Sequence, residues 1–266
     1  MSVYIITRNR PGNLKKVVPR WLEQSMHVTL VVEGSEQERH RVLVSGMGWT
    51  DKVDIISPKA VNLGVGHARR FAVANAALRR LDSIIMSDDD MRPSPGSDMG
   101  KLLREAASPK VLGIGAVRPL HDWFSGGATK DRNDVILCPG GWGMQLFALN
   151  VQNTEIMGSF DSLLDCFGED HELMRNGIAA GIPWLVHCGV KCDAIGARYA
   201  NGGINSYISD GDRHAREVAC RRIIHGRWPR YVSKPEDSPR MAWQKMLDDY
   251  ITGWRHLSAM HGGEWR

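Results

Sequence analysis

The sequence predicts an α/β fold: a mostly parallel sheet flanked by helices, with a helical C-terminal extension. Three observations predict it. Short β-branched runs alternate with helix-forming stretches through the first half of the chain, the fourth such run is apolar and ends in three consecutive aspartates, and beyond His187 the sequence turns basic and helical. Strands alternating with helices imply parallel neighbours joined by crossovers on both faces.

Taken in order, Val3–Thr7 is short and β-branched and stops at Arg-Asn-Arg-Pro-Gly, which reads as a first strand. A helix over Asn13–Gln24 follows, then strands at His27–Glu33 and Val53–Pro58. Gly64–Arg80 is rich in helix formers, and Ala68, Phe71, Ala72 and Ala76 share one face. Ser83–Ser87 is a buried fourth strand. Val111–Val117 and Gly143–Leu149 are further strands, separated by a polar, Gly-containing loop at Ser125–Asn133. Glu169–Ala180 is a helix and Trp184–His187 the last strand of the core. Asp212–His225 is a basic amphipathic helix, and Met241–His256 is a helix with an apolar stripe of Trp243, Leu247, Tyr250, Ile251 and Trp254. Pro235–Pro239 is the best linker candidate, and no internal repeat is visible.

The 266 residues are 42 % apolar and 24 % charged, ordinary for a globular chain with one substantial core. No apolar run approaches the ~20 residues of a membrane span, which predicts no membrane partner. The N-terminus shows no basic segment followed by an apolar stretch, so no secretory signal is expected. Five scattered cysteines fit a reducing cytoplasm better than a disulfide framework. Cys188 and Cys192 lack a second ligand pair, so burial in the core is the expectation rather than zinc. Residues 191–234 hold nine Lys or Arg against four Asp or Glu, a local excess larger than the +4 of the whole chain. Such a stretch attracts a polyanion or is simply a solvated helix face.

Two acidic clusters carry the chemistry. Asp88, Asp89 and Asp90 follow a buried strand directly, and in parallel sheets ligands gather beyond the carboxyl ends of strands. Adjacent carboxylates repel unless a cation neutralises them, and Mg²⁺ or Mn²⁺ takes one or two carboxylates with water and phosphate oxygens. In extended backbone Asp88 and Asp90 share a face while Asp89 points away. The plain alternative is a solvated acidic turn. The second cluster, Gly168-Glu169-Asp170-His171, opens a helix, where acidic residues also complement the helix dipole.

Asp88-Asp89-Asp90 resembles the D-x-D signature of GT-A glycosyltransferases, and the similarity runs in order through roughly the first 190 residues. The resemblance implies a GT-A-like domain over 1–200 with a basic helical extension over 201–266 packed on it. It implies a UDP-sugar donor, with Asp88 and Asp90 holding Mn²⁺ or Mg²⁺ against its diphosphate. Thr7, Arg8, Asn9 and Arg10 follow the first strand, where the family contacts the nucleotide, and Glu33 stands where relatives place an acidic residue on uracil or ribose. Asn62-Leu63-Gly64-Val65-Gly66-His67-Ala68-Arg69 is similar to the family's Asn-x-Gly-x-x-x-Ala-Arg helix start. Asn62, Gly64 and Arg69 are therefore expected at the donor together with Asp89; Arg70 competes with Arg69 for the diphosphate, and a surface salt bridge is the plain alternative. Gly64-Val65-Gly66 lacks the third glycine of a dinucleotide fingerprint.

The Glu-Asp element resembles that of inverting members, which makes Asp170 the expected general base and Glu169 the second choice. Gly140-Gly141-Trp142-Gly143 lies where the family lines the sugar and acceptor, so Gly141 and Trp142 are placed there. By the same resemblance His187 is a further metal ligand, with His171 and His214 as competitors and a core histidine as the plain alternative. Finally, the order of DDD, Gly-Gly-Trp, Gly-Glu-Asp and Gly202-Gly203-Ile204 before an Arg-rich helix resembles the TET/JBP-associated branch. That branch includes phage enzymes that glucosylate hydroxymethylated DNA bases. It implies DNA as partner, acceptor contacts from Arg213, Arg221, Arg222 and Trp228, and action in a host cytoplasm. A GT-A enzyme acting on a polysaccharide, lipid or small molecule is the nearest alternative. A sugar nucleotidyltransferase would carry glycines before Thr7-Arg8, which are missing here, and a DNA-binding module leaves the acidic clusters unexplained.

Overall fold

The computed structural model describes residues 1–7, 10–32, 37–58, 64–117, 135–137, 146–164, 168–195 and 210–227. The described strands form one nine-stranded sheet. Its first half is the expected alternation: β1 (Ser2–Thr7), α1 (Pro11–Glu23), β2 (His27–Val32), α2 (Gln37–Gly46), β3 (Val53–Ile56), α3 (Gly64–Leu78) and β4 (Ser83–Asp88). These strands stand in the order β3-β2-β1-β4 and are all parallel. Pro11 opens α1 at the position where a missing N–H costs nothing. The apolar side of α1, Leu14, Val17, Val18 and Trp21, is fully buried.

The second half is mixed. β5 (Met91–Pro93), α4 (Met99–Ala106), β6 (Gly113–Val117), β7 (Val135–Leu137), β8 (Leu146–Asn150), α5 (Val151–Ile156), α6 (Glu169–Ala179), β9 (Trp184–Ala194) and α7 (Asp210–Arg227) follow. β8 lies antiparallel between β4 and β6, and β9 pairs parallel with β6 but antiparallel with β5 and β7. Parallel character therefore belongs to the N-terminal half, and the sheet as a whole is mixed. The last core strand does not end at His187. It bulges there, with the register against β6 jumping from Ala116↔His187 to Val117↔Lys191, and then runs on to pair with β5.

Caps and close approaches fix the connections. Asp98 accepts from the Gly100 N–H at the start of α4, and Asn150 accepts from the Asn153 N–H at the start of α5. The Asn153 amide donates to the carbonyls of Pro109 and Val111, tying α5 to the turn before β6. Trp184 lies flat against the backbone of Gly113, where any side chain would collide with the indole. Burial of the large side chains Trp21, Trp184, Tyr4, Phe147 and Phe160 supplies the core. Each contributes on the order of 2 kcal/mol or more of transfer free energy. The helix expected at Met241–His256, the Pro235–Pro239 linker and the Ser125–Asn133 loop lie outside the described residues. No helix among the described residues is long and apolar enough to cross a membrane.

Candidate active site

The strand order reverses at β1, which has β2 on one side and β4 on the other. A reversal of this kind opens a crevice at the carboxyl ends of the two strands. Thr7 closes β1 there, and Asp88 closes β4 opposite Ile6. The acidic tip thus stands at the switch point.

β4 ends at Asp88, and Asp89 and Asp90 form the turn that follows it, so their separation comes from the turn and not from the alternation expected of extended backbone. The side chain of Asp89 is fully buried, while those of Asp88 and Asp90 are 28 % and 26 % exposed. Asp89 is gripped from β1 and α1: Thr7 Oγ1 donates to it at 2.8 Å, and the Arg10 guanidinium reaches both its oxygens at 3.1 and 2.7 Å. Arg10 also stands 3.7 Å from Asp90. This explains an arginine at the N-cap of α1, where a short polar residue is usual and no side-chain cap forms. Thr7 and Asp89, both placed with the donor by resemblance, are thus buried against each other. The backbone of the tip is pinned as well, since the Ile195 N–H donates to the Asp90 carbonyl at 2.7 Å.

The second cluster arrives at the same place. Arg69, one helical turn inside α3, donates from Nη1 to Glu169 at 2.9 Å and from Nη2 to Asp88 at 3.4 Å. Arg69 and Glu169 side chains are only 6 % and 5 % exposed. The Arg69 guanidinium lies over the rings of Phe147 and Phe160, 5.5 and 5.8 Å from their centroids, a cation–π seat that fixes its plane. The surface salt bridge anticipated as the alternative for Arg69 is therefore corrected to a buried one. It forms because Gly66 lets α3 approach the segment before α6: a Cβ there would sit 2.7 Å from the Leu164 carbonyl and 2.9 Å from that of Asp161. Gly64 and Gly168, at φ +75° and +90°, turn the chain into α3 and α6 in the left-handed region that favours glycine.

Electrostatically the site is crowded with negative charge. Burial raises the Asp88, Asp89 and Glu169 carboxyls above their ordinary range. Asp90 adds to the rise at Asp88 and Asp170 to that at Glu169, while Arg69 opposes both; Arg10 and Thr7 oppose it at Asp89. Burial works against the Arg69 charge, but Asp88, Glu169 and Asp170 outweigh it and raise its pKa. Asp170, next to Glu169 in the first turn of α6, is partly exposed.

Among the described residues no group of three or more His, Cys, Asp or Glu side chains converges on one point. His187 therefore does not join Asp88 and Asp90: it lies buried on β9, and its Nδ1 accepts from the Gly189 N–H in the bulge at 3.1 Å. The closed nitrogen–sulfur cage of a structural zinc does not fit here. Two partly exposed carboxylates at the switch point do fit a hard divalent cation that completes its shell with water and phosphate oxygens. Cys188 and Cys192 are core residues.

α7 docks beside this site. Arg227 donates to Glu172 of α6 at 2.8 Å and to Asp161 at 2.5 Å, and Cys220 is buried. Arg222 is exposed on the same helix. Arg8, Asn9, Glu33, Asn62, Gly141, Trp142, His214 and Trp228 are not placed, because they or their side chains lie outside the described residues, as do the side chains of His171, Arg213 and Arg221.

No family model matches the sequence, and no curated protein matches it. Solved structures do. A mannosyltransferase from Pyrobaculum calidifontis, in complex with GDP-Man and Mn²⁺, superposes over 98 % of this chain and 75 % of its own, with a TM-score of 0.57 at 14 % identity. GalNAc-T7 with UDP, GalNAc and Mn²⁺ superposes over 98 % of this chain with a TM-score of 0.58 at 11 % identity. The chain spans 56 % of the length of that second structure. The fold is GT-A. Within it, sequence reasoning singled out Arg69 but missed that it joins the two acidic clusters. It also missed the grip of Arg10 on Asp89. The one signal for the latter was an arginine in place of a capping residue immediately before Pro11.

Proposed function

We propose that this chain is a metal-dependent glycosyltransferase that moves a sugar from a nucleotide-sugar donor to a hydroxyl acceptor. The observation that carries the reading is the pair of Arg69 contacts, 2.9 Å to Glu169 and 3.4 Å to Asp88, which bring acidic clusters 81 positions apart into one site at the switch point. Solved structures of the same fold hold Mn²⁺ with a nucleotide or nucleotide sugar, which supports the class of donor.

In this reading Asp88 and Asp90 hold Mn²⁺ or Mg²⁺. When bound, the ion offsets the charge that develops on a departing nucleoside diphosphate. Asp89 keeps the tip in shape through Thr7 and Arg10. Asp170, partly exposed where Glu169 is buried, accepts the proton of the acceptor hydroxyl at its carboxylate. The acceptor oxygen bonds to the anomeric carbon as the bond to the diphosphate oxygen breaks, and the electron pair leaves with the diphosphate. One displacement inverts the anomeric centre, as in inverting glycosidases where base and leaving group stand on opposite faces.

For the acceptor, the reading is a hydroxymethylated pyrimidine in DNA, with UDP-glucose as donor. It rests on the basic helix α7 clamped to α6 by Arg227, with Arg222 exposed on it, and on the order of motifs along the chain. Cationic side chains beside a catalytic crevice suit a phosphate backbone, and a base leaving the stack would bring its hydroxyl to Asp170.

The deciding experiment incubates the protein with Mn²⁺ and a panel of nucleotide sugars, with hydroxymethylcytosine DNA, hydroxymethyluracil DNA or unmodified DNA. Nucleosides are then weighed by mass spectrometry. A hexose mass on a hydroxymethylated base is expected. Release of nucleoside diphosphate without any change in base mass moves the acceptor to a polysaccharide, lipid or small molecule. Absence of both metal-dependent donor binding and diphosphate release ends the glycosyltransferase reading. Charge reversal of Arg221 and Arg222 is expected to weaken DNA binding and flatten its salt dependence by about one to two units of slope; an unchanged slope removes them as phosphate contacts.

A further inference from the structure

A buried guanidinium shared by two acidic clusters does more than hold them together. The Arg69 contacts are unequal: the bond to Glu169 is short, and that to Asp88 is stretched and reaches a partly exposed carboxylate. The rings of Phe147 and Phe160 fix the plane of the guanidinium, so its attraction can be redistributed between partners without its moving far. Glu169 is the first residue of α6, and Gly66 brings α3 against the chain that leads into it.

Resting on the reading of Asp88 as a metal ligand, we infer that Arg69 is a positioning residue through which a divalent cation at the β4 tip orders the start of α6, where Asp170 stands. A cation at Asp88 competes with Arg69 for the same carboxylate. Once Asp88 turns to the cation, more of the charge of Arg69 falls to Glu169, and the first turn of α6 is held more tightly. Coupling between two sites is reciprocal. If the cation strengthens the Arg69–Glu169 pair, Glu169 must in turn favour cation binding, although it is no ligand. Without Glu169, Asp88 takes a larger share of the guanidinium and gives it up less readily. A lysine at position 69 presents a single point charge in place of a planar fork and cannot serve both carboxylates in this way.

The test needs no turnover. Mn²⁺ affinity is measured from the electron paramagnetic resonance signal of the free ion for the wild type, Glu169→Gln, Arg69→Lys and the double variant. Hydrogen exchange of the amides over 169–173 is followed with and without Mn²⁺, and thermal melting verifies folding. Glu169→Gln is expected to weaken Mn²⁺ binding about fivefold or more, and in the Arg69→Lys background to change it by less than about twofold. Mn²⁺ is expected to slow exchange over 169–173 in the wild type but not in Glu169→Gln. If Glu169→Gln does not fold, Glu169→Asp, which keeps the charge and shortens the reach, is expected to show the same loss. Equal weakening in both backgrounds assigns the effect to the Glu169 charge alone and overturns the role of Arg69, as does unchanged affinity with unchanged protection. Wild-type binding that Asp88→Ala abolishes, with no dependence on Glu169, ends this inference and leaves the metal site standing. No Mn²⁺ binding by the wild type ends both.

Discussion

The two acidic clusters are built on the same plan and differ in what anchors them. Each has a buried carboxylate held by an arginine and partly exposed carboxyl groups beside it: Asp89 on Arg10 with Asp88 and Asp90, Glu169 on Arg69 with Asp170. In the first, the anchor is local to the sheet, since Arg10 and Thr7 come from the strand next door and the helix that follows it. In the second, the anchor reaches back to the first cluster, so α6 is tied to the β4 tip as well as to β9 and α7. The lesson is that one cluster is a fixed platform and the other is placed relative to it. That division suits the roles proposed above, a rigid metal platform and an aimed base.

The strongest way to break the comparison is to remove the exposed members of the platform. Asp88→Ala or Asp90→Ala is expected to lower transfer on the order of 10³-fold or more and to abolish metal-dependent donor binding, measured by diphosphate release and calorimetry. Next, Asp170→Asn is expected to lower turnover by about 10²- to 10⁴-fold while donor affinity is retained. Full turnover in that variant would hand the base role to another residue. Arg10→Ala tests the platform's anchor. It strands the buried Asp89 carboxylate and is expected to cost about 3 kcal/mol of stability in denaturant melts. Asp89→Asn, which still accepts from Thr7, should cost less, and equal losses would show that the ion pair is not what holds the tip.

The smallest effect concerns pH. Burial raises the Glu169 pKa above its ordinary 4.5. Between about pH 4.5 and about pH 8 the folded, metal-free protein keeps a proton that the unfolded state has released, so stability contributed at Glu169 falls as pH rises through that window, and the full ion pair with Arg69 belongs to its upper end. Thermal melts of the metal-free protein from pH 4 upward should show a shallower decline for Glu169→Gln than for the wild type. Parallel curves would mean that Arg69 fully compensates the buried charge.

Much of the scaffold was legible from local pattern. β1 to β4 and α1 and α3 lie close to where β-branched runs and helical periodicity put them, because a buried parallel strand or an amphipathic helix writes its burial into consecutive residues. α4 was equally legible and passed over: Asp98 is its cap, and Met99, Leu102, Leu103 and Ala106 repeat at helical spacing. β5 and β7, three residues each, have no pattern of their own and exist only because β9 is there to pair with them. His187 misled for the same reason, since nothing local shows that its strand bulges and continues.

By itself, the sequence determined the alternation of strands and helices, the placing of three aspartates at the end of a buried strand, and a Glu-Asp pair opening a helix, since each depends only on neighbours along the chain. Tertiary structure alone decided which carboxylates are buried and which stay partly exposed, that Arg10 holds Asp89, and that Arg69 joins Asp88 to Glu169 across 81 positions. The physical reason is that a buried charge takes as its partner whichever opposite charge the fold brings within hydrogen-bonding distance, and distance along the chain has no bearing on that choice.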